Sequence, residues 1–179
     1  MGRSSITRKA SRVRLLLFDV DGVLTDGTIV VHADGTESKR FHVRDGAAIV
    51  WAHRAGLMTG VLSARPSQAT AQRAAQLAMR VVAQASRGKV AAFEQVLREH
   101  RLTEEEVAFM GDDLLDLPVL ARVGLSAAPA DATKEVRRRV DIVTRANGGH
   151  GAARELIELV LRAQDRWTSL VAEYGVPGR

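Results

Sequence analysis

The chain reads as an α/β protein built on a three-layer parallel sheet, and three observations carry that reading. Apolar segments of strand length alternate with helical ones, the pattern of parallel βαβ units. Two of those strands end abruptly in clustered carboxylates, which belong at the carboxyl ends of strands in an open α/β sheet, where ligands bind. One segment breaks the alternation, and it has the signature of a β-hairpin. Together these describe a Rossmann-like sheet with a projecting β-hairpin and no large cap domain.

Taken in order, residues 1–12 are expected as a flexible basic tail and residues 13–172 as one domain. Core strands are expected at 14–18, 58–62, 81–83, 107–110, 125–127 and 141–144, with helices near 46–55, 67–78, 88–100 and 114–122. Thr103, with Glu106 three residues on, is a capping-box pattern. Between the first strand and the first of these helices, residues 28–41 read as the hairpin, with Asp34-Gly35 in its turn. It follows directly on an acidic strand end and so should project over it. A lone two-stranded hairpin is marginal and leaves its edges open, so pairing between copies from several subunits would stabilise it. The last helix, 152–171, sets Leu156, Leu159, Val160, Ala163, Trp167 and Leu170 along one stripe for packing.

Composition narrows the function classes. At 179 residues the chain can bury a substantial core, and 46% hydrophobic with 26% charged residues is ordinary for a globular protein. No apolar run approaches the roughly 20 residues of a membrane span, and the basic N-terminus lacks a signal-peptide core, so a cytoplasmic chain is expected. The absence of cysteine excludes disulfides, thiolate zinc sites and cysteine nucleophiles. A net charge of +5 invites a nucleic-acid reading, but the arginines are scattered among acids and aromatics make up only 4% of residues. That leaves little for base stacking, and no nucleic-acid partner is expected. Arg137-Arg138-Arg139 reads as the solvated face of a short helix.

The chemistry lies at strand ends. Leu15-Leu16-Leu17-Phe18 runs into Asp19-Val20-Asp21-Gly22, where two carboxylates suit a magnesium ion, a carboxylate nucleophile, or both. The next core strand ends in Ser63-Ala64-Arg65, a hydroxyl with following N–H groups able to hold phosphate oxygens. Lys89 opens a helix, where the dipole disfavours a cation, so another group should want it there. The strand 107–110 runs into Gly111-Asp112-Asp113-Leu114-Leu115-Asp116; three acids in five residues repel one another unless a cation sits among them, and hard oxygen ligands favour magnesium. An N-cap role accounts for one aspartate, Asp113, but not for all three.

In this order and spacing the pieces resemble the four motifs of the haloacid dehalogenase superfamily: Asp19-Val20-Asp21-Gly22, Ser63, Lys89, and Gly111-Asp112-Asp113 with Asp116. The run 21–27, the hairpin, Phe41-His42-Val43-Arg44-Asp45-Gly46, the stretch 111–119 and the stretch 144–155 are similar to the capless branch of 3-deoxy-D-manno-octulosonate 8-phosphate phosphatases, over about residues 13–166. The resemblance implies a magnesium-dependent sugar phosphatase, with Asp19 as nucleophile, Asp21 as general acid and base, and Ser63 and Lys89 on the phosphoryl oxygens. Magnesium would be held by Asp19, the Asp21 carbonyl and Asp112, with Asp113 and Asp116 as supports behind them. It also implies a homotetramer with hairpins at its centre and a neighbour closing each site. A sugar-acid substrate needs cations, for which Arg44, Arg65 and Arg145 are candidates. The branch has a close relative acting on nine-carbon sialic-acid-type sugar phosphates. An inactive oligomeric scaffold is the reading from another class, but it predicts loss of Asp19, Asp21, Lys89 or Asp112, and all four are present. Phosphotransferases and phosphonatases of this scaffold usually add a cap, for which 22–41 leaves no room. Departures from the branch are Ser63-Ala64-Arg65 where Thr-Gly-Arg is usual, a loosely similar 84–89, and Ala47 in place of tyrosine.

Overall fold

The computed structural model describes residues 3–84 and 88–175. Its elements run α1 (Arg3–Ala10), β1 (Leu15–Phe18), β2 (Val30–Val31), β3 (Glu37–Ser38), α2 (Val43–Arg54), β4 (Met58–Ser63), α3 (Gln68–Gln76), β5 (Val81–Gln84), α4 (Lys89–His100), β6 (Val107–Met110), α5 (Leu117–Leu120), β7 (Leu125–Ala128), α6 (Lys134–Arg137), β8 (Ile142–Val143), α7 (Ala152–Ala163) and α8 (Trp167–Ala172). Six strands form one sheet in the order β5-β4-β1-β6-β7-β8, every pair parallel. β2 and β3 pair antiparallel as the separate hairpin, with Val30 opposite Ser38.

The apolar run of β1 explains its central place. Alternate side chains point to opposite faces of a strand, and both faces here are buried. Leu16 and Phe18 join the core packed by α2 and α7, with Ile49, Leu156 and Ile157. Leu15 and Leu17 join the core on the other face, with Phe93 of α4, Phe109, Val119 and Val136. β1 is flanked by β4 and β6, with Phe18 in register with Val61 and Met110. The chain moves outward from β1 in one direction through β4 and β5, then returns to its other side at β6. That reversal puts the ends of β1, β4 and β6 side by side at the crevice where such sheets bind ligands.

Three expectations change. Residues 3–10, expected within a flexible tail, form α1, whose Ala10 is fully buried and whose Lys9 pairs with Asp141 at 2.6 Å; Met1 and Gly2 lie outside the described residues. The basic residues had masked the docking of Ile6, Ala10 and Val13 on the core. The final helix is broken rather than continuous. Asp165 adopts a left-handed φ of 57°, and the Arg166 and Asp165 N–H groups donate back to Leu161 and Arg162 carbonyls, a Schellman stop made without glycine. The Gln164 amide, at that break, donates to the carbonyls of Ala10 and Val13 and ties the corner to α1. Residues 114–122 hold a 3₁₀ turn and the four-residue α5 in place of one helix. The capping box of Thr103 and Glu106 forms as expected.

α7 has Gly151 as its N-cap, a residue with no side chain to offer a capping bond. The buried carboxylate of Asp45, on α2, supplies one instead by accepting from the N–H groups of Gly151 (3.2 Å) and Arg154 (2.8 Å). Asp45→Ala should therefore cost about 1–3 kcal/mol, the usual loss when buried donors are left unmet. Urea unfolding followed by the fluorescence of Trp51 and Trp167 checks this; an unchanged midpoint would remove Asp45 as the cap of α7.

Candidate active site

The acids of the site stand where β1 and β6 run out of partners. Asp19 follows β1 directly, and its N–H still donates to the Met110 carbonyl, which fixes its backbone beside β6. Across the crevice, Gly111 leads into Asp112. A Cβ on Gly111 would lie 2.4 Å from the Asp116 carboxyl carbon, so only glycine lets that carboxylate fold back under the loop. A Cβ on Gly22 would lie 2.2 Å from Asp112 Oδ2, and Gly22 has φ +89°, so glycine is also required where the β1 loop meets Asp112.

Lys89 is the cation that the sequence suggested something must want. It rises from the first turn of α4, is buried, and donates to Asp19 Oδ2 at 2.9 Å and to Asp116 Oδ1 at 2.5 Å. Asp116 Oδ2 accepts from the backbone N–H groups of Asp112 and Asp113. Both Asp116 oxygens are thus engaged in holding Lys89 and the loop. Asp113 is exposed and caps the 3₁₀ turn by accepting from the Leu114 N–H. Ser63 is buried at the end of β4, its hydroxyl 3.3 Å from the Arg65 N–H.

A single lysine does not balance this cluster. Asp19, Asp112 and Asp116 offer oxygens all within 4.8 Å of one another. Burial, and then the charge of Asp116, push the Asp19 carboxyl up to about 6 against the pull of Lys89. Burial, followed by Asp19 and Asp116, pushes Asp112 up to about 7. Burial alone would lower the Lys89 ammonium, but the two carboxylates outweigh it and raise it. Asp112 Oδ1 is buried with no hydrogen-bond partner. An orphaned carboxylate oxygen facing a second buried acid is what a hard divalent cation would satisfy, so these residues fit magnesium.

The remaining residues divide. Asp21 points to the hairpin, where Lys39 Nζ contacts both of its oxygens, at 2.6 and 2.8 Å. Lys39 was not singled out in the sequence; the signal available was its place in the charged return arm Glu37-Ser38-Lys39-Arg40. None of the three candidate arginines pairs with the acid cluster among the described residues. Arg65 is bound to Glu37 at 2.6 Å, while Arg44 and Arg145 are exposed. The segment bearing Arg145 does lie against the β1 loop: Gly149 N–H donates to the Val23 carbonyl, and a Cβ on Gly148 would lie 1.8 Å from the Gly22 carbonyl oxygen.

The chain is similar to known proteins over most of its length. A family model for haloacid dehalogenase-like hydrolases matches residues 65–156. The 3-deoxy-D-manno-octulosonate 8-phosphate phosphatase KdsC of Escherichia coli K12 is 40% identical over 163 residues, 91% of this chain and 87% of that protein. The crystal structure of the Moraxella catarrhalis 3-deoxy-D-manno-octulosonate 8-phosphate phosphatase, in complex with magnesium ion, phosphate ion and KDO, superposes with a TM-score of 0.93. It is 30% identical, covering 97% of this chain and 99% of that one. The Yersinia pestis enzyme of the same name gives 0.89 at 36% identity, over 98% and 91% of the two chains.

The raised carboxyls make metal-free stability fall with pH. Asp19 and Asp112 start from an ordinary value of 3.8 in the unfolded chain and reach about 6 and about 7 when folded. Between those limits the native state holds more protons than the unfolded one, so stability declines as pH rises through that window. Asp112→Asn should flatten the decline, raise Tm of the metal-free protein at neutral pH, and shrink the Tm gain on adding magnesium. Thermal melts with and without magnesium across the window measure all three; an unaltered magnesium response would exclude Asp112 as a ligand.

Proposed function

Because the chain belongs to the haloacid dehalogenase-like hydrolases and is a phosphoric monoester hydrolase of the KdsC type, we propose that it removes the phosphate of 3-deoxy-D-manno-octulosonate 8-phosphate through an aspartyl-phosphate. The observation that carries the proposal is the group of buried Asp19 and Lys89 with half-buried Asp112 beside the strand ends, its buried Oδ1 left unpaired.

In this reading Asp19 attacks phosphorus in line while the bond to the sugar oxygen breaks. Asp21 gives its proton to that departing oxygen, then takes one from the water that hydrolyses the acyl phosphate. Lys89, anchored by Asp116, and Ser63 donate to the equatorial oxygens as charge builds there. Asp19, the Asp21 carbonyl and Asp112 would hold magnesium, which when bound offsets the repulsion between the nucleophile and an anionic substrate. Asp113 and Asp116 act as supports: the first caps the loop and the second holds Lys89.

The sugar acid beyond the phosphate calls for cations, and Arg44, Arg65 and Arg145 serve as its candidates. Arg65 would have to exchange its present partner Glu37 for the substrate or share itself between them. No nucleic acid or membrane takes part in this reading; among the described residues no helix is long and apolar enough to cross a membrane. The hairpin bears Val30 and Val31, 47% and 70% exposed. Covering such side chains is worth roughly 1.5–3 kcal/mol each, which favours hairpins pairing at the centre of a homotetramer.

The deciding experiment is phosphate release with magnesium across eight- and nine-carbon keto-sugar phosphates, with small aliphatic phosphates as controls. The eight-carbon ester should lead; preference for a nine-carbon ester would move the assignment to the sialic-acid-type sugars. Asp19→Asn should abolish turnover in a folded protein, and a near-normal kcat would exclude the aspartyl-phosphate. Asp21→Asn should lose roughly 10²–10⁴-fold, or about 3–5.5 kcal/mol of barrier. Replacing both Ile29 and Val31 with lysine should yield smaller species in sedimentation, with activity on the sugar phosphate reduced more than on an aryl phosphate. A fully active wild-type monomer would overturn the tetramer.

A further inference from the structure

The return strand of the hairpin and the two residues after it are fastened to the site at three points. Glu37 pairs with Arg65 after β4 at 2.6 Å, Lys39 with Asp21 after β1 at 2.6 Å, and Arg40 with Asp26 further along the β1 loop at 2.7 Å. The outer two are ordinary surface pairs in part; the Arg40 side chain is 82% exposed. Lys39 differs. Its side chain is 0% exposed, although Ser38 and Arg40 on either side are exposed. An ammonium removed from water is unfavourable unless a carboxylate compensates closely. The compensating carboxylate is Asp21, held through both oxygens, and the Asp21 side chain itself keeps 23% exposure.

A surface hairpin gains nothing in stability from burying a lysine that could reach solvent, so the geometry calls for a role at Asp21. Resting on the reading of Asp21 as the general acid, we propose that Lys39 is a positioning residue for leaving-group protonation. The hairpin delivers its ammonium to Asp21, fixes the carboxyl orientation, and stabilises the negative charge that forms there as the proton departs. The step balances without Lys39 changing state. In the reacting state one Asp21 oxygen carries the proton and the other stays on Lys39. The bond from phosphorus to the sugar oxygen breaks, that oxygen takes the proton, and the Asp21 oxygen so freed returns to the ammonium, which then holds both oxygens as in the structure. Preorganised charge aimed at a developing anion lowers a barrier without reorganisation cost. Seating of the hairpin and protonation of the leaving group are then one coupled event, because a displaced hairpin withdraws Lys39 from Asp21.

This assigns Lys39 a signature that simple support of the hairpin would not produce. Loss of help to the departing oxygen matters for an alkoxide, which must be protonated, and little for p-nitrophenolate, which leaves without it. In the full-length protein with magnesium, Lys39→Met should lower kcat on the sugar phosphate by on the order of 10–10²-fold, inside the range of the acid itself. On p-nitrophenyl phosphate kcat should fall by no more than about threefold, and KM for both should hold. Lys39→Arg should restore most of the sugar-phosphate rate. In an Asp21→Asn background, Lys39→Met should add less than about twofold, since groups acting as one unit are not additive. Lys39→Gln, which keeps a polar donor in the pocket, serves as the neutral variant if methionine prevents folding, and should show the same dependence on leaving group. An equal loss on both esters, a raised KM with kcat intact, or an undiminished effect in the Asp21→Asn background would overturn the role of Lys39 while leaving the phosphatase intact. Failure of the wild-type protein to hydrolyse any of these esters would overturn both.

Discussion

Everything at the site depends on one buried ion pair and the imbalance around it. Lys89 lies between Asp19 and Asp116, and a third acid, Asp112, shares the space with an oxygen unpaired. A buried pair needs good geometry and further hydrogen bonds to repay the loss of water. Here Asp116 has both: Lys89 on one oxygen and two backbone N–H groups on the other. Asp19 and Asp112 do not, and their raised carboxyls express that deficit. The fold thus supplies one well-compensated acid as an anchor and two poorly compensated ones, which is the arrangement of a site kept ready for added positive charge.

Holding this imbalance in place falls to the sheet and to close backbone approaches. β1, β4 and β6 fix the distance between Asp19, Ser63 and Gly111 through paired strands, rigid elements on which a site can be precise. The loops are then pressed together where side chains are missing. Gly22 admits Asp112, Gly111 admits Asp116, and Gly148 lies against the Gly22 carbonyl. Asp45 reaches from α2 to cap α7, just after that last segment, so the start of α7 is bound to the same scaffold. A chemistry that needs angstrom-scale placement is in this way carried by elements with little freedom to shift.

The hairpin is the adjustable part. Its strands are two residues each, and Gly35 at φ +82° makes the Asp34-Gly35 turn that the sequence announced. With so few ladder bonds it cannot be stable by itself, and it relies on the ion pairs of Glu37, Lys39 and Arg40 with the loops below. In the capless plan these pairs do part of what a cap domain would do: they set where the cover sits relative to the acid beneath it.

The sequence by itself determined the alternation of strands and helices, the buried apolar run of β1, the hairpin and its turn, and the acids at two strand ends. Those features are local: side-chain periodicity, turn chemistry and charge at the end of a buried strand are all written within a few residues. It missed what depends on contacts between distant segments. The basic start of the chain became α1 because Ala10 and Val13 found the core, and the last helix broke where Asp165 took a left-handed turn and the Gln164 amide bonded the carbonyls of Ala10 and Val13. Only the tertiary structure decided that Lys89 bridges Asp19 and Asp116, that Arg65 faces Glu37, and that Lys39 is buried against Asp21. A charged side chain reads the same in sequence whether solvated or buried, and its partner is chosen by how the sheet orders its strands.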